Sequence, residues 1–450
     1  MANSQPVQDL AQYAVATAQQ LGAQAAAAAA NHVREVEVAW RDGKLERLTE
    51  AGSRGLSVEL YVDGRYAAVA TSDTRREAVA AFLADAVEMT RALSADPHRK
   101  LADPLRYAKP GVALSPDACG LQLADPSYAE LSAVERKHIA EAIESAARSQ
   151  DPDGRILSVS SGVSDSQSEV YRCDSQGFSG WRRGTSFWWS GEVSVLDPDG
   201  RRPEGGDYRG GRFRSDLGDF LEVGRSASRR TLARIGAKKP PTATGTIVID
   251  HRVAGRMLSS LLGPLSGAAL QQQRSFFQGR EGSKVGSDLL DLVDDPLVVR
   301  GLGSRLFDSE GVAAQKMPLF ERGFQRGLYI DTYYGSKLGR SPTSGGASNL
   351  AWTLGNLDQP GLLAQVGDGV LVTGFLGGNS NGTTGDFSFG IQGFAIRNGQ
   401  IAEPLAEMNI AGNHMEFWQR LVAVGNDPYP YSALRTPTLV FEGVTVAGGS

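Results

Sequence analysis

A chain of 450 residues, 41% apolar and 22% charged, has enough length for two or three domains with sizeable cores and the balance of an ordinary soluble protein. Its net charge of -5 excludes the strong basic excess of a dedicated nucleic-acid surface, so no nucleic-acid partner is expected. Two cysteines, Cys119 and Cys173, exclude a cysteine metal cluster or disulfide framework and read as free, partly buried thiols in a reducing compartment.

No basic residue precedes Arg34, and the alanine tract at 25–30 is too short and too weakly apolar for export or spanning. A cytoplasmic location without membrane contact is the expectation. Residues 6–21 read as a helix, with Val7, Leu10, Ala14 and Leu21 on one side and Gly22 as its stop. The alanine tract leads into a half-buried strand at 33–40. Arg41-Asp42-Gly43-Lys44 then turns the chain back through 45–49, and a second hairpin of 56–62 and 66–70 closes at Asp63-Gly64. A helix over 74–93 follows, giving four strands between helices, an α+β layer.

Residues 94–126, with five prolines and little periodicity, read as a long surface connection. Ser127-Tyr128-Ala129-Glu130 is a capping-box pattern for a helix to about 148. Further strands are punctuated by Asp151-Pro152-Asp153-Gly154, Asp174-Ser175-Gln176-Gly177 and Asp197-Pro198-Asp199-Gly200, and a helix spans about 215–235. Lys238-Lys239-Pro240-Pro241 is the best boundary between an N-terminal α+β domain, 1–240, and a β-rich, mainly antiparallel domain, 241–450.

The second half opens on Ile247-Val248-Ile249, a β-branched run, and continues in a helical pattern with Val253, Met257, Leu258, Leu261, Leu262 and Leu265 on one face. A hairpin-like pair surrounds Arg322-Gly323. Strands are expected at 369–375, 386–396, 401–405 and 438–446, interrupted by a single helix at about 415–424. The 54 glycines concentrate in this half and suggest tight turns and close backbone approach.

Several constellations carry candidate chemistry. Asp250 and His251 are adjacent, so on a strand they point to opposite faces, and His251 reads as a strand-end surface residue. Gly378-Asn379-Ser380-Asn381-Gly382 matches the nucleophile-elbow pattern, with Asp386 or Glu403 and then His414 following in hydrolase order. That pattern requires a helix after the turn, whereas Asp386-Phe387-Ser388-Phe389 reads as a strand, so a Gly-Asn loop is favoured. Asp308 and Glu310, two apart, would hold a cation or peptide amine from one strand face, or cap a glycine turn; the turn is favoured. From 177 to 216, seven arginines face six carboxylates, which is no electrostatic footprint, and Phe187, Trp188 and Trp189 read as packing residues. No nucleotide-binding glycine motif occurs.

Phe307-Asp308-Ser309-Glu310-Gly311, Gly382-Thr383-Thr384-Gly385-Asp386-Phe387-Ser388-Phe389, Asn398-Gly399-Gln400-Ile401-Ala402-Glu403-Pro404, Met408-Asn409-Ile410-Ala411-Gly412-Asn413 and Val424-Gly425-Asn426-Asp427 together resemble the TldD/PmbA family, also called modulators of DNA gyrase. The likeness runs from about 245 to the end. Arg54-Gly55-Leu56-Ser57-Val58 and Asp63-Gly64-Arg65 extend it loosely into the first half.

The resemblance implies a peptidase fold whose catalytic members carry a His-Glu-x-x-x-His zinc motif on the helix after Ile249, plus a late cysteine ligand. Here Ser259, Ser260 and Pro264 stand at the motif, and Pro428-Tyr429-Pro430-Tyr431-Ser432 stand where the cysteine would fall. A side chain without a suitable donor cannot hold zinc. The implied role is therefore the non-catalytic PmbA/TldE type, with zinc only in a catalytic partner. That partner would be a TldD-like subunit bearing the motif, or the chain would pair with itself, around a channel for peptide substrates. Asp308, Glu310, Asn379, Asp386 and His414 are the polar-site candidates, and the glycine-rich strands of 374–390 would let an extended peptide add as a strand. The alternatives are a stand-alone homodimeric peptide-binding protein and a serine-type hydrolase using Ser380.

Overall fold

A computed structural model of the chain describes residues 5–109 and 120–449. Cys119 and the middle of the connection expected over 94–126 lie outside them. α1 (Gln5–Gln20) packs on β1 (Ala25–Arg41), which starts inside the alanine tract rather than after it. Small side chains explain the early start. Ala26, Ala28 and Ala30 fall on one face of the strand and let the helix lie close, in a core shared with Leu56, Val58, Leu60 and Val62.

β2 (Lys44–Val62) runs unbroken through both segments expected as separate strands, because β1 is long enough to pair with all of it, from Arg41↔Lys44 to Ala25↔Tyr61. Three strands thus replace the expected four, with β3 (Arg65–Thr71) completing the set before α2 (Arg76–Arg91). Both turns fall where the sequence places them. Asp42 and Gly43 have φ of 48° and 77°, and Asp63 and Gly64 have 49° and 73°, the paired left-handed residues of a tight hairpin.

The helix expected to begin at Ser127 begins later. Tyr128–Glu130 is one 3₁₀ turn, and α3 (Ala133–Arg148) is capped by Ser132, whose hydroxyl accepts from the Glu135 N–H at 3.1 Å. The Ser-x-x-Glu pattern recurs at 132–135, directly before the apolar run, and that copy is the cap. β4 (Ile156–Asp174), β5 (Ser179–Val195) and β6 (Glu204–Gly211) extend the sheet to the order β3-β2-β1-β4-β5-β6, antiparallel throughout.

The helix expected over 215–235 divides at Gly218, φ 69°, into a 3₁₀ turn (Arg214–Leu217) and α4 (Leu221–Leu232). Among the described residues, the four α-helices of this half share one sheet face: α1 and α2 cover one end, while α3 and the chain entering α4 cover Val38, Trp40, Val163, Phe187 and Trp189 at the other. Cys173 is buried under the first pair, and burial pushes its thiol up to about 12. The opposite face carries Ser57, Glu59 and Tyr61, the residues between the buried ones.

The Lys238–Pro241 segment is docked rather than free: the Lys238 N–H donates to the Pro404 carbonyl at 3.2 Å, and the Ala406 N–H donates back to Lys238 at 3.1 Å. β7 (Ala243–Ile249), α5 (His251–Leu262) and α6 (Gly267–Gln271) follow. A small sheet of order β10-β9-β8-β11 comes from β8 (Leu292–Asp294), β9 (Met317–Glu321), β10 (Phe324–Gln325) and β11 (Leu350–Trp352), with α7 (Thr332–Leu338) between the last two in sequence.

After α8 (Gln359–Val366) come β12 (Gly369–Ser380), β13 (Asp386–Arg397), β14 (Gln400–Asn413), α9 (His414–Phe417), β15 (Leu421–Val424) and β16 (Leu439–Ala447). Their sheet has the order β14-β13-β12-β7-β16-β15, and β14 also pairs with β16, so it curls back on itself. Only β7 and β12 run parallel within it.

α8 was not legible in the sequence: it is eight residues long, with Pro360 and Gly361 in its first turn and Asp358 as its cap. The helix expected at 415–424 is one α-turn and one 3₁₀ turn, because Leu421 and Val424 are drawn into β15 beside β16. The architecture is α+β with a β-rich second half. Among the described residues, no helix is long and apolar enough to cross a membrane.

Candidate functional site

The second half is organised around β7 and α5. β7 is apolar on both sides because both are covered: Ile247 and Ile249 join the core beneath α5, and Val248 packs with Leu362 and Leu363 of α8. Asp250 ends the strand and caps the helix, its carboxylate accepting from the Arg252 N–H at 2.8 Å. Ala254, Met257, Leu258 and Leu261 bury one helix face. His251 is therefore the first residue of α5, not a strand-end surface residue, and its Nδ1 lies 3.2 Å from Asp427 Oδ2.

The other face of α5 borders a groove of about 410 Å³, lined by Gly255, Arg256, Phe375, Gly377, Tyr429 and Leu434 among others. Ser259 and Ser260, one turn further along, turn both hydroxyls onto the Arg256 carbonyl at 2.8 and 3.3 Å. Pro264 is buried beyond the helix end, and its carbonyl accepts from the Ser275 hydroxyl at 2.6 Å.

Asp427, the partner of His251, also accepts from the Thr438 N–H and hydroxyl at 3.0 and 2.7 Å. Burial would raise this carboxyl, but His251 and Thr438 outweigh it and hold it below the usual carboxylate range. Tyr429 fills the space beside it. Its hydroxyl donates to the Tyr208 carbonyl at 2.8 Å, and its ring meets Tyr208, Tyr431 and His251 at 5.6–5.8 Å between centroids.

β12 forms the remaining side. Only Val370, Leu371 and Val372 pair with β7, while β12 pairs with β13 as far as Ser380. From Gly374 to Ser380 the edge away from β13 is thus open, and Phe375 and Gly377 place it at the groove. At the end of this strand Ser380 Oγ and His414 Nε2 are 2.9 Å apart.

His414 is fully buried, its ring stacked against Phe276 and tilted against Phe387, and burial pushes it down to about 4. Its Nδ1 has no hydrogen-bond partner among the described residues. Asp386, exposed, accepts instead from the Thr384 hydroxyl and the Asn413 amide, and Glu403 pairs with Arg397. The pair therefore lacks the carboxylate that would orient a base, and the turn runs into β13 rather than a helix. Asn379, expected in a Gly-Asn loop, is exposed near the end of β12 and pairs with Ser388, so that only 381–385 form the turn.

Asp308 and Glu310 are elsewhere. Asp308 caps a glycine turn, accepting from the Glu310 and Val312 N–H groups at 2.9 and 3.1 Å, so they do not share a strand face. Glu310 accepts from the Thr332 N–H and hydroxyl and lines a cavity that contains none of Asn379, Ser380, Asp386 or His414.

Family profiles described as PmbA/TldA metallopeptidase domain 1, central domain and C-terminal domain match residues 26–90, 122–235 and 242–448. This chain belongs to the PmbA/TldD family. A relative named metalloprotease PmbA, from Escherichia coli O157:H7, is 28% identical over 420 residues, 92% of this chain and 90% of that one. A crystal structure from Bacteroides thetaiotaomicron, of a protein whose name refers to modulation of DNA gyrase, superposes with a TM-score of 0.92 at 38% identity over 98% of both chains. TldE from Thermococcus kodakarensis shares the fold, with a TM-score of 0.82 at 20% identity, covering 98% of this chain and all of that one.

The zinc of the PmbA/TldD family's catalytic members does not fit the residues present. The two hydroxyls at the motif are engaged by a helix carbonyl, and Pro264 has no side-chain donor. Tyr429 occupies the segment of the expected cysteine. Among the described residues, no three His, Cys, Asp or Glu side chains cluster in a way that could hold a metal. Reading the family's words in sequence missed the His251–Asp427 and Arg252–Asp207 pairs that tie the groove together. Asp427 lay inside a family word, but nothing in the sequence pointed to its partner on α5.

Proposed function

We propose that this chain is the non-catalytic subunit of a TldD/TldE-type zinc metalloprotease complex and shapes its peptide channel. The observation that carries the reading is at the motif positions of α5: Ser259 and Ser260 turn their hydroxyls onto the helix's own Arg256 carbonyl, Pro264 just beyond its end has no side-chain donor, and Tyr429 lines the groove where the late ligand would fall. Zinc and the general base reside in a partner subunit bearing the His-Glu-x-x-x-His motif. The open edge of β12 supports the channel role, since an extended peptide adds there as a strand through main-chain hydrogen bonds. The substrates are unfolded or precursor peptides, and the two halves meeting at Lys238–Pro241 are its two domains.

Co-expression with a zinc-motif homologue from the same organism tests the reading. The expected result is a co-purifying pair that cleaves unstructured peptides, while this chain alone cleaves none. Failure of the chains to associate, with peptide binding by a homodimer alone, would overturn it in favour of a stand-alone binding protein.

The contact between Ser380 and His414 is the one observation that favours a serine-type hydrolase. Chelator-resistant cleavage by the purified chain, abolished by Ser380→Ala, would establish that reading. The unpartnered Nδ1 and the low-lying imidazole argue for a structural pair instead.

A further inference from the structure

The second face of the first sheet meets the second half across a cavity of about 420 Å³. Small-molecule sites span roughly 300–1,000 Å³. Alternation along β2 builds one wall: Val58 and Leu60 are committed to the core under α1 and α2, so Ser57, Glu59 and Tyr61 face the cavity. The turn at Phe307–Gly311 and the start of α7 build the other.

The charges in this space are unevenly satisfied. Its three carboxylates all have partners: Glu59 accepts from Arg172 at 3.0 Å, Asp331 caps α7 through the Tyr334 N–H at 2.7 Å, and Glu310 accepts twice from Thr332. Of its four cations only Arg172 has a carboxylate within ion-pair distance; Arg99, Lys100 and Arg182 have none among the described residues.

Arg99 lies over the rings of Tyr333 and Tyr66 at 3.5 and 4.4 Å. Arg182 sits over Phe307 at 4.8 Å and donates through Nη2 to the Phe307 carbonyl at 2.7 Å. Its Nε–H, like that of Arg172, is buried without an acceptor among the described residues. Such groups are rare in folded proteins unless something else fills the space before them.

We propose that this cavity binds a small organic monocarboxylate, its carboxylate received by Arg182 in the field of Arg99 and Lys100, its apolar body against Tyr66, Tyr333 and Phe307. A monoanion suits the balance, because four cations against three carboxyl groups leave a surplus of one with Glu310 ionised and of two with it protonated, and that carboxyl stands at about 7. A dianionic phosphate would face the Glu59 and Asp331 carboxylates with twice the charge. The planar guanidinium fork also suits a carboxylate. The site stands whether or not the chain joins a protease complex.

Calorimetric titration of the full-length chain with N-acetyl-phenylalanine, its amide and inorganic phosphate decides the matter. The acid is expected to bind saturably, and the amide about tenfold more weakly or worse, as for loss of a charge-assisted hydrogen bond. Arg182→Gln is expected to weaken the acid about tenfold. Lys100→Ala, at an exposed side chain, weakens it by a smaller factor and keeps the test open should Arg182→Gln fail to fold. Equal affinity for acid and amide, no saturable binding of the acid at millimolar concentration, displacement of the acid by equimolar phosphate, or indifference to Lys100→Ala would each overturn the proposal.

Discussion

The groove over α5 and the cavity beneath the first sheet are nearly equal in volume, about 410 and 420 Å³, and opposite in chemistry. In the groove two of the three basic side chains meet a carboxylate, Arg252 at Asp207 and His251 at Asp427, and Arg256 lies over Phe389 at 5.3 Å. In the cavity three cations have no carboxylate partner among the described residues, and one carboxyl stands at about 7. The family's signature helix thus adjoins the chemically quieter opening. Whether a cleft can act on a ligand depends on which polar groups are still free, and a motif's position does not reveal that.

Mutations on the two faces of α5 give this comparison its sharpest form, beginning with the largest effect. Leu258→Ala removes a fully buried side chain and is expected to cost about 2–5 kcal/mol in denaturant unfolding. A loss below about 1 kcal/mol would mean that α5 is not the core element described here.

Glu310 and His414 are expected to oppose each other in pH dependence, each by no more than about 3.5 kcal/mol. Burial raises Glu310 from an ordinary 4.5 to about 7 against the opposing Thr332 bonds. Between those values the folded chain holds a proton that the unfolded chain has lost, so this group's contribution to stability falls as pH rises. Burial lowers His414 from 6.5 to about 4, so the unfolded chain takes the proton first, and its contribution is lost as pH falls through that window. Urea midpoints measured from pH 4 to 8 on Glu310→Gln and His414→Asn should each remove one of the two opposing slopes. Unchanged slopes would show that neither group is held as described.

Asp427→Ala strips the acceptor from Thr438 and His251 and is expected to cost about 1–3 kcal/mol. The same change should loosen Tyr429, readable as increased quenching of tyrosine fluorescence. Smallest of all, Ser259→Ala is expected to stay within about 0.5 kcal/mol, since its hydroxyl is exposed and bonded only to its own helix. A large effect there would mean that Ser259 does more than face solvent.

Local signals in the sequence were reliable where one rule acted alone. The β-branched run before a helical stripe located β7 and α5, and Asp-Gly pairs located two turns of the first sheet. The Asp308 turn was also readable, because its acceptors lie within four residues. Legibility failed where the partner is remote. Whether 45–49 and 56–62 form one strand depends on the length of β1, and the cap of α3 required a choice between two copies of one pattern. The cavity was invisible because Glu59, Arg172, Arg182 and Glu310 come from four separate segments, brought together only by register and by the docking of the two halves.

Zinc content of the purified chain, by plasma mass spectrometry after growth in zinc-supplemented medium, tests the central claim most directly. The α5 face described here predicts far less than one zinc per chain, with zinc appearing when a His-Glu-x-x-x-His partner co-purifies. One tightly bound zinc per isolated chain, lost on changing Ser259, Ser260 or His414, would contradict it.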